Sequence, residues 1–261
     1  MRRQSLYNKK IVIIIVLRLT SRKGMVIKMK LYYDLHIHSA LSPCGDNDMT
    51  PNNIVNMSII KELDVIAVTD HNSCANVRSV IKAADGRITV IPGMEIETSE
   101  EIHIVSYFPS IEAAEEMEKI IKKNRIGIKN KTEIYGNQFL MDENDEIIGE
   151  EDELLIAPTK LDIYTAVKYI RECGGEAVPA HIDRSSYSVL SNLGFIPEDI
   201  DFKTVEITPK GVGELGQMYN KYNIISNSDA HYLENISEPE FFIDSVSKNV
   251  QEIFNFLCKK E

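Results

Sequence analysis

The six histidines of this chain are the side chains most suited to chemistry, because each lies at or near the end of a predicted strand. His36 and His38 occupy alternate positions in DLHIHS, and Asp229 and His231 repeat that spacing in SDAH. Side chains at positions i and i+2 of a strand share one face, so each pair points into one space. The other histidines are His71 in TDH, His103 in EIHIV and His181 in PAHID.

This pattern favours a metal site. Imidazole and carboxylate groups bind Zn²⁺, Mn²⁺ or Fe²⁺ and leave positions open for water. One histidine beside a strand is more often a packed or hydrogen-bonded residue, but two ligand-type pairs are hard to explain by packing. Glu95 in GMEIE joins the candidate ligands, and Glu97, on the same strand face, is a candidate to contact a ligand.

Three further residues have open roles. Asp46 lies in the turn-rich loop SPCGDND, where an aspartate serves turn geometry as often as it binds a ligand. Cys44 in the same loop could bind a soft metal, but we interpret it as an ordinary buried thiol. Asp70 alternates away from His71, so we expect it to orient a neighbour or to cap the next helix.

The elements that must position these residues alternate between strand and helix. Hydrophobic patterning predicts strands at 31–37, 64–70, 87–97, 101–108, 176–182, 204–208 and 223–231. It predicts helices at 51–63, 73–84, 111–123, 161–173 and 246–259. The alternation favours a parallel α/β barrel or a doubly wound sheet. In such a barrel the carboxyl ends of the strands converge, so the distant histidines can meet there.

Two segments stand apart from this alternation. Residues 1–29 form a basic extension around the apolar run at 11–17, and its lack of a cleavage site favours a disordered extension or a mis-assigned start over a signal peptide. The domain itself is predicted at 30–261. Near 133–156 we expect an exposed acidic hairpin, because eight acids fall within 142–153 between apolar triplets.

Charge and cysteine content restrict the partners. The chain carries a net charge of −11, and residues 31–261 hold 20 basic against 40 acidic side chains. A domain with this excess of acids repels polyphosphates, so long nucleic acid is an unlikely partner. We expect a small phosphorylated substrate instead. The seven-residue apolar run is too short to span a membrane. Four cysteines without a CxxC pair indicate free thiols, typical of a reducing, cytoplasmic compartment.

In their order along the chain, DLHIHS, VTDH, GMEIE, EIHIVSYF, AHID and SDAH resemble the motifs of the PHP (polymerase and histidinol phosphatase) domain family over residues 30–261. The resemblance implies an α/β fold, a distorted (β/α)7 PHP-type barrel with two or three divalent metal ions (Zn, Mn or Fe) at the C-terminal strand ends. It also implies that His36 and His38 hold one ion and that Glu95 bridges two. The implied metal ligands are His36, His38, Asp46, His71, Glu95, His103, His181, Asp229 and His231. The chain departs from the pattern at 180–184, where AHIDR replaces the common AHP.

The function we derive is metal-dependent hydrolysis of a phosphate ester, on a small phosphomonoester, a nucleotide or a short oligonucleotide. Divalent ions polarise the phosphoryl oxygens and activate water, so no protein nucleophile is needed. The chain indeed contains neither a GxSxG motif nor a P-loop. We take Glu95, His231 and Arg184 as the candidate catalytic residues. Arg184 and Lys210 follow strand ends and could clamp phosphate, although each could equally be a solvated surface charge.

Two other functions stay open. The amidohydrolase superfamily also begins with HxH on a barrel strand, and it would predict amide hydrolysis or deamination. A metal-binding accessory module without turnover is the second alternative, and the complete ligand set opposes it. Release of phosphate from an aryl phosphate with added Mn²⁺ separates the phosphoesterase from both.

The extension supplies the first testable prediction. If residues 1–28 lie outside the domain, a chain that begins at Met29 will fold, bind metal and keep its activity. Circular dichroism and metal analysis of the two chain lengths check this. Insoluble expression of the shorter chain would show that the apolar run at 11–17 packs on the domain.

Overall fold

A computed structural model describes residues 28–258 as an α/β fold. The extension predicted at 1–29, with its apolar run, lies outside the described residues except for its last two positions. The strands are β1 (Met29–Ile37), β2 (Val65–Val68), β3 (Thr89–Glu97), β4 (His103–Tyr107), β5 (Phe139–Met141), β6 (Ile147–Glu150), β7 (Glu176–Pro179), β8 (Thr204–Glu206), β9 (Asn223–Ile225) and β10 (Phe242–Ser245). The helices are α1 (Pro51–Ile60), α2 (Val77–Ala84), α3 (Ile111–Asn124), α4 (Thr132–Tyr135), α5 (Ile163–Glu172), α6 (Val189–Leu193), α7 (Val212–Leu215) and α8 (Val250–Leu257).

Six strands form a curled sheet in the order β10-β1-β2-β3-β4-β7. Strands β8 and β9 pair in parallel beside it, and the Ile182 N–H donates to the Glu206 carbonyl at 2.9 Å across the gap from β7. On the other side a parallel bridge joins Ile37 of β1 to Ala230, which follows β9. The strand ends around the sheet are thereby brought into one ring.

The sheet is not purely parallel, in contrast to our expectation. Strands β1, β2 and β3 run parallel, but β4 is antiparallel to both β3 and β7. The reason is the length of the link: residues 98–102 are too few for a crossover, which needs a dozen residues or more, so the chain turns back as a hairpin. Strand β10, which the sequence analysis did not find, pairs antiparallel with the start of β1.

Apolar side chains fill both faces of the sheet. One cluster of buried residues lies between the sheet and the helices, and a second includes Leu31, Leu35 and Val105 from the strands. Ile253 and Leu257 of α8 complete the second cluster, so the last helix covers that face. Burying both faces leaves the ring of strand ends as the place where polar side chains gather.

Helix ends follow the expected local chemistry. The Thr50 hydroxyl accepts from the Asn53 N–H at the start of α1, with Pro51 as the first helical residue. The Asp162 carboxylate caps α5 in the same way, from the Thr165 N–H at 2.7 Å. Gly174 lies at φ 78° just after α5, the left-handed conformation that the sequence predicts for a helix end. No helix within residues 28–258 is long and apolar enough to cross a membrane.

The acidic segment forms the β5–β6 hairpin, which packs on two parts of the domain. The Asn76 side chain makes two hydrogen bonds to the backbone of β5. Its Nδ2 donates to the Phe139 carbonyl at 3.0 Å, and its Oδ1 accepts from the Met141 N–H at 2.9 Å. Just before the hairpin, Gly136 lies against the carbonyl oxygen of Pro43, in the loop that follows β1. The hairpin segment therefore supports that loop.

This contact predicts a difference between two glycines. Both have positive φ, 101° at Gly136 and 75° at Gly127, but only at Gly136 would a Cβ clash with backbone. We expect Gly127→Ala to lower the free energy of unfolding by about 1 kcal/mol, and Gly136→Ala by at least about 2 kcal/mol more. Urea denaturation of both variants measures this. Equal losses of unfolding free energy in the two variants would show that the hairpin segment does not pack tightly against the Pro43 loop.

Candidate metal centre

Glu95 on β3 is the centre of the histidine cluster. It is 1% exposed, and five histidine rings come within 3.4 Å of its two carboxylate oxygens. The Oε1 contacts are His36 Nε2 at 3.3 Å, His103 Nδ1 at 2.9 Å and His181 Nε2 at 3.3 Å. The Oε2 contacts are His71 Nδ1 at 3.0 Å and His38 Nε2 at 3.4 Å.

Different elements deliver these side chains to one place. His36 and His38 lie at the end of β1, where the register against β2 shifts between Asp34 and Ile37. Such a bulge re-aims side chains and is common beside active sites. His103 comes from the first residue of β4, which lies opposite Glu97 because that strand is antiparallel. His71, His181 and His231 follow β2, β7 and β9.

Asp229 is the second carboxylate of the centre. Its Oδ1 lies 3.4 Å from His36 Nε2 and 3.1 Å from His38 Nε2. Its Oδ2 pairs with Arg184 Nη1 at the surface. Asp229 thus joins the buried histidines to the Arg184 guanidinium at the mouth of the site.

Hydrogen bonds fix which histidine nitrogens face the centre. The Ser42 hydroxyl donates its proton to Asp70 at 2.7 Å, so it accepts from His38 Nδ1 at 2.9 Å. The Glu206 carboxylate accepts from His36 Nδ1 at 3.1 Å. In both rings the outer nitrogen is engaged by these acceptors, so the Nε2 atoms, 3.2 Å apart, are the nitrogens that point inward and could bind an ion.

The buried groups fit divalent metal ions. Both oxygens of Glu95, Nε2 of His181, Nδ1 of His71 and Oδ1 of Asp229 have no hydrogen-bond partner, although other ligand atoms lie within 3.4 Å of them. Because these atoms lie close together but do not hydrogen-bond to one another, their lone pairs are free to point into one shared space, where a metal ion could bind. Three overlapping groups have ligand atoms within 4.8 Å of one another: His36, His38, Glu95 and Asp229; His71, Glu95 and His103; His38, His71 and His231.

Charge in the cluster keeps the carboxylates ionised. Burial alone would raise the pKa of Glu95, but His103, His36 and His71 hold it well below its usual range. Conversely, burial opposes protonation of His103, yet Glu95 raises its pKa to about 9. A metal ion must displace this proton, because the ligand is the neutral imidazole. Burial and the adjacent His38 lower the pKa of His231 to about 3, so its ring is already neutral at pH 7.

The structure brings together eight of the nine sequence-predicted ligands and leaves out Asp46. The Asp46 carboxylate accepts from the Asp48 N–H at 2.8 Å within its own loop, and only the Asp46 backbone reaches the site, through a 2.9 Å bond to the His231 carbonyl. Cys44 instead occupies this position. Its thiol is exposed, in contrast to our interpretation of a buried residue, and Sγ lies 3.1 Å from His231 Nε2.

The supporting residues were only partly visible in the sequence. Asp70 orients neighbours as expected, since it accepts from the Ser39 and Ser42 hydroxyls. Glu97 reaches His103 at 3.6 Å. Sequence analysis missed Glu206, which holds His36 and also accepts from Asn227 at 2.7 Å. The acid inside the apolar strand TVEIT was the available signal, because a buried carboxylate requires partners.

A small cavity opens onto the cluster. It measures about 140 Å³ and is lined by His71, Glu95, His103, His181, Arg184, Ser186, Tyr187, Asp229 and His231. A larger groove of about 640 Å³ adjoins it and shares Arg184 and Asp229. Lys210, the second sequence-predicted phosphate clamp, lines the groove and not the cavity.

Several known proteins are similar to this chain. A 5'-3' exoribonuclease from Haemophilus influenzae is 26% identical over 189 residues, which cover 57% of this chain and 68% of the relative. The lesion-specific Endonuclease Q of Pyrococcus furiosus superposes with a TM-score of 0.66 at 17% identity, over 87% of this chain but only 55% of its own. A candidate metal-dependent phosphoesterase from Bifidobacterium adolescentis gives a TM-score of 0.60 at 16% identity, over 90% and 98% of the two chains.

These relatives conflict with our expectation that long nucleic acid is an unlikely partner. Endonuclease Q has also been crystallised with a 27-mer duplex that carries an abasic lesion at its active site, and that structure gives a TM-score of 0.65 at 17% identity over 89% of this chain and 57% of its own. The expectation rested on the summed charge of residues 31–261. Summed charge is a poor guide here, because metal ions reverse the potential locally and a longer protein can add binding surface elsewhere.

Glu206 supplies a prediction for the centre. Glu206→Gln removes the charge that holds the His36 proton outward, so we expect metal affinity to fall by about 10- to 100-fold. Competition with a chromogenic chelator measures the affinity. Glu112→Gln, at an exposed position of α3, is the control and should leave affinity unchanged. Equal affinity in the two variants would show that Glu206 does not tune the ligands.

One family model matches more than half of the chain. The PHP domain model covers residues 34–187, which include the second half of β1, all of β2 to β7 and five of the six histidines. The similar folds agree with this match over nearly the whole chain. From its ligand cluster, its fold and this match, the chain belongs to the PHP domain family of metal-dependent phosphoesterases.

Proposed function

We propose that the protein hydrolyses phosphate esters at nucleotide or oligonucleotide ends, with two or three divalent ions in the Glu95 cluster. The observation that carries the proposal is the convergence of five histidines on one buried carboxylate. Burying such a cluster of polar and charged groups costs desolvation free energy unless bound cations neutralise the carboxylates. Packing of the α/β core requires none of these groups.

The ligand groups assign positions for the ions. His36, His38, Asp229 and Glu95 would hold one. Glu95 with His103 and His181, which both lie within 3.3 Å of Oε1, would hold another, so that Glu95 would bridge the two. Bound divalent ions supply Lewis acidity to the phosphoryl group and activate water. The nitrogen and oxygen donors suit Zn²⁺, Mn²⁺ and Fe²⁺.

The shape of the site limits what can enter. A cavity of about 140 Å³ holds the volume of only a few water molecules, which suits a phosphate group but not a nucleobase. The adjoining groove of about 640 Å³ offers room for the rest of a nucleotide. We therefore place the scissile phosphate in the cavity and the sugar and base in the groove.

Arg184 is placed to bind the substrate at the junction of the two spaces. Its side chain is 44% exposed, and its guanidinium is held by Asp229 at the edge of the ligand cluster. A guanidinium fork can contact a phosphate bidentately while it retains one carboxylate contact. The proposed role of Arg184 is to orient the phosphate, and His231 lines the same cavity.

Electrostatics favour short substrates over long ones. Residues 31–261 carry twice as many acids as bases, so the positive potential is confined to bound ions and a few side chains at the mouth. Relatives named as nucleases support nucleic acid as the substrate class. Both facts are satisfied by an enzyme that acts on the ends of short strands, and less well by one that grips many phosphates of a duplex.

The test compares substrates directly. We expect phosphate or nucleotide release from a nucleotide and from a short 5'-phosphorylated oligonucleotide to exceed cleavage of a long duplex, with Mn²⁺, Zn²⁺ and Fe²⁺ assayed in parallel. Elemental analysis should find two or three ions per chain. Glu95→Gln should abolish turnover and reduce occupancy at two sites together, whereas Glu112→Gln should change neither.

Two results would contradict the proposal. Faster and strongly salt-sensitive cleavage of the long duplex would indicate a nuclease that binds an extended track of phosphates. Metal bound without any ester hydrolysis would instead support the accessory module. Hydrolysis of amides alone would support the amidohydrolase alternative.

A further inference from the structure

We propose that Cys44 is a metal ligand of this centre, and that its thiolate, with His71 and His231, forms a position selective for Zn²⁺ or Fe²⁺ at the mouth of the cavity. The inference rests on the proposed function, since it adds a ligand to the same cluster. It differs from the sequence-predicted ligand set, in which the loop after β1 contributes Asp46.

The first support is the contact of the thiol with a histidine. Cys44 Sγ lies 3.1 Å from His231 Nε2. The His231 Nδ1 proton is held by the Asp229 carbonyl at 2.9 Å, so Nε2 is the bare nitrogen. The lone pair of His231 therefore faces the sulfur atom.

The second support is independent of the thiol. His71 is 5% exposed, and its Nδ1 has no hydrogen-bond partner although Glu95 lies 3.0 Å away. Nitrogen atoms of His38, His71 and His231 lie within 4.8 Å of one another, close enough to share an ion. This histidine group has no carboxylate, in contrast to the other two groups, so one anionic ligand is lacking there.

The backbone of the loop fixes the thiol in place. Asp70 accepts from the Ser39 N–H at 2.7 Å and from the Ser42 hydroxyl at 2.7 Å, which holds both ends of the turn. The Gly45 N–H donates to the Ser42 carbonyl at 2.8 Å, and a Cβ at Gly45 would come within 2.7 Å of the Ser39 carbonyl oxygen. The turn around Cys44 is thus closely packed although the thiol itself is exposed.

The same turn keeps the Asp46 carboxylate from acting as the ligand that this loop contributes. Its carboxylate is engaged by the Asp48 N–H, and its own N–H donates to the His231 carbonyl at 2.9 Å. That backbone bond ties the loop to the segment that carries His231. The loop therefore presents sulfur, and not oxygen, to His231.

Ligand chemistry then determines the metal. A thiolate with two imidazoles is a softer donor set than the carboxylate-rich groups around Glu95, and it favours Zn²⁺ or Fe²⁺ over Mn²⁺ or Mg²⁺. On binding, the thiol proton passes to solvent and a metal–sulfur bond forms. The exposed thiol also makes this position open to alkylation when no ion is bound.

The experiment uses Co²⁺ as a spectroscopic probe on the full chain. We expect the wild-type protein loaded with Co²⁺ to show a near-ultraviolet thiolate-to-cobalt charge-transfer band. Cys44→Ser and Cys44→Asp should lose the band, whereas Cys173→Ser, at a half-buried cysteine on the far end of α5, should keep it. Absence of the band in cobalt-loaded wild type, or its persistence in both Cys44 variants, overturns the proposal.

Two further readouts separate this inference from the proposed function. Zn²⁺ should protect Cys44 from iodoacetamide in wild type, with the modified peptide counted by mass spectrometry, and Cys173 labelling should not change. Cys44→Asp should lower the ratio of Zn²⁺ to Mn²⁺ affinity by at least about tenfold. If Cys44 labels equally with and without Zn²⁺ while two ions and hydrolysis remain, the thiol ligand is refuted and the phosphoesterase stands. If no metal binds at all, both fail.

Discussion

Burial of the Glu95 carboxylate among five histidines is the constraint on which the rest of the site depends. An isolated buried carboxylate would take up a proton, but the surrounding imidazoles keep this one ionised. Glu206 and Ser42 engage the outer nitrogens of His36 and His38, so that the inner nitrogens of these two rings face the carboxylate. The centre is therefore a set of mutually dependent charges, and bound cations would complete its neutralisation.

The fold serves this cluster by bringing strand ends together. The parallel strands β1, β2 and β3 deliver ligands at their carboxyl ends, and the antiparallel β4 delivers His103 from its amino end to the same edge. The bulge in β1 directs His36 and His38, which lie two residues apart, toward the centre. The hairpin segment supports the site indirectly, since it packs against the Pro43 loop that carries Cys44.

Charge acts here at two scales. Over the whole domain the excess of acids disfavours long polyphosphates, whereas at the mouth Arg184 and the proposed divalent ions would create a compact positive focus. Our initial expectation used only the first scale, and proteins named as nucleases are among those similar to this chain. The proposed function connects the two scales, since a cavity of about 140 Å³ has room for a phosphate group and the wider groove beside it has room for the rest of a nucleotide.

The sequence alone determined the α/β class, the positions of the main strands and most ligand candidates, because HxH, DxH and GMEIE combine strand periodicity with metal-binding side chains. It did not determine that β4 runs antiparallel, since strand patterns carry no direction, and it missed β10, a four-residue edge strand. It also missed Glu206, whose partner His36 is 170 residues away. Most of all, motif order selected Asp46, whereas the structure presents Cys44 to His231. The choice between neighbours in one loop depends on which side chain its backbone hydrogen bonds engage, and those bonds exist only once the loop has packed against distant strands.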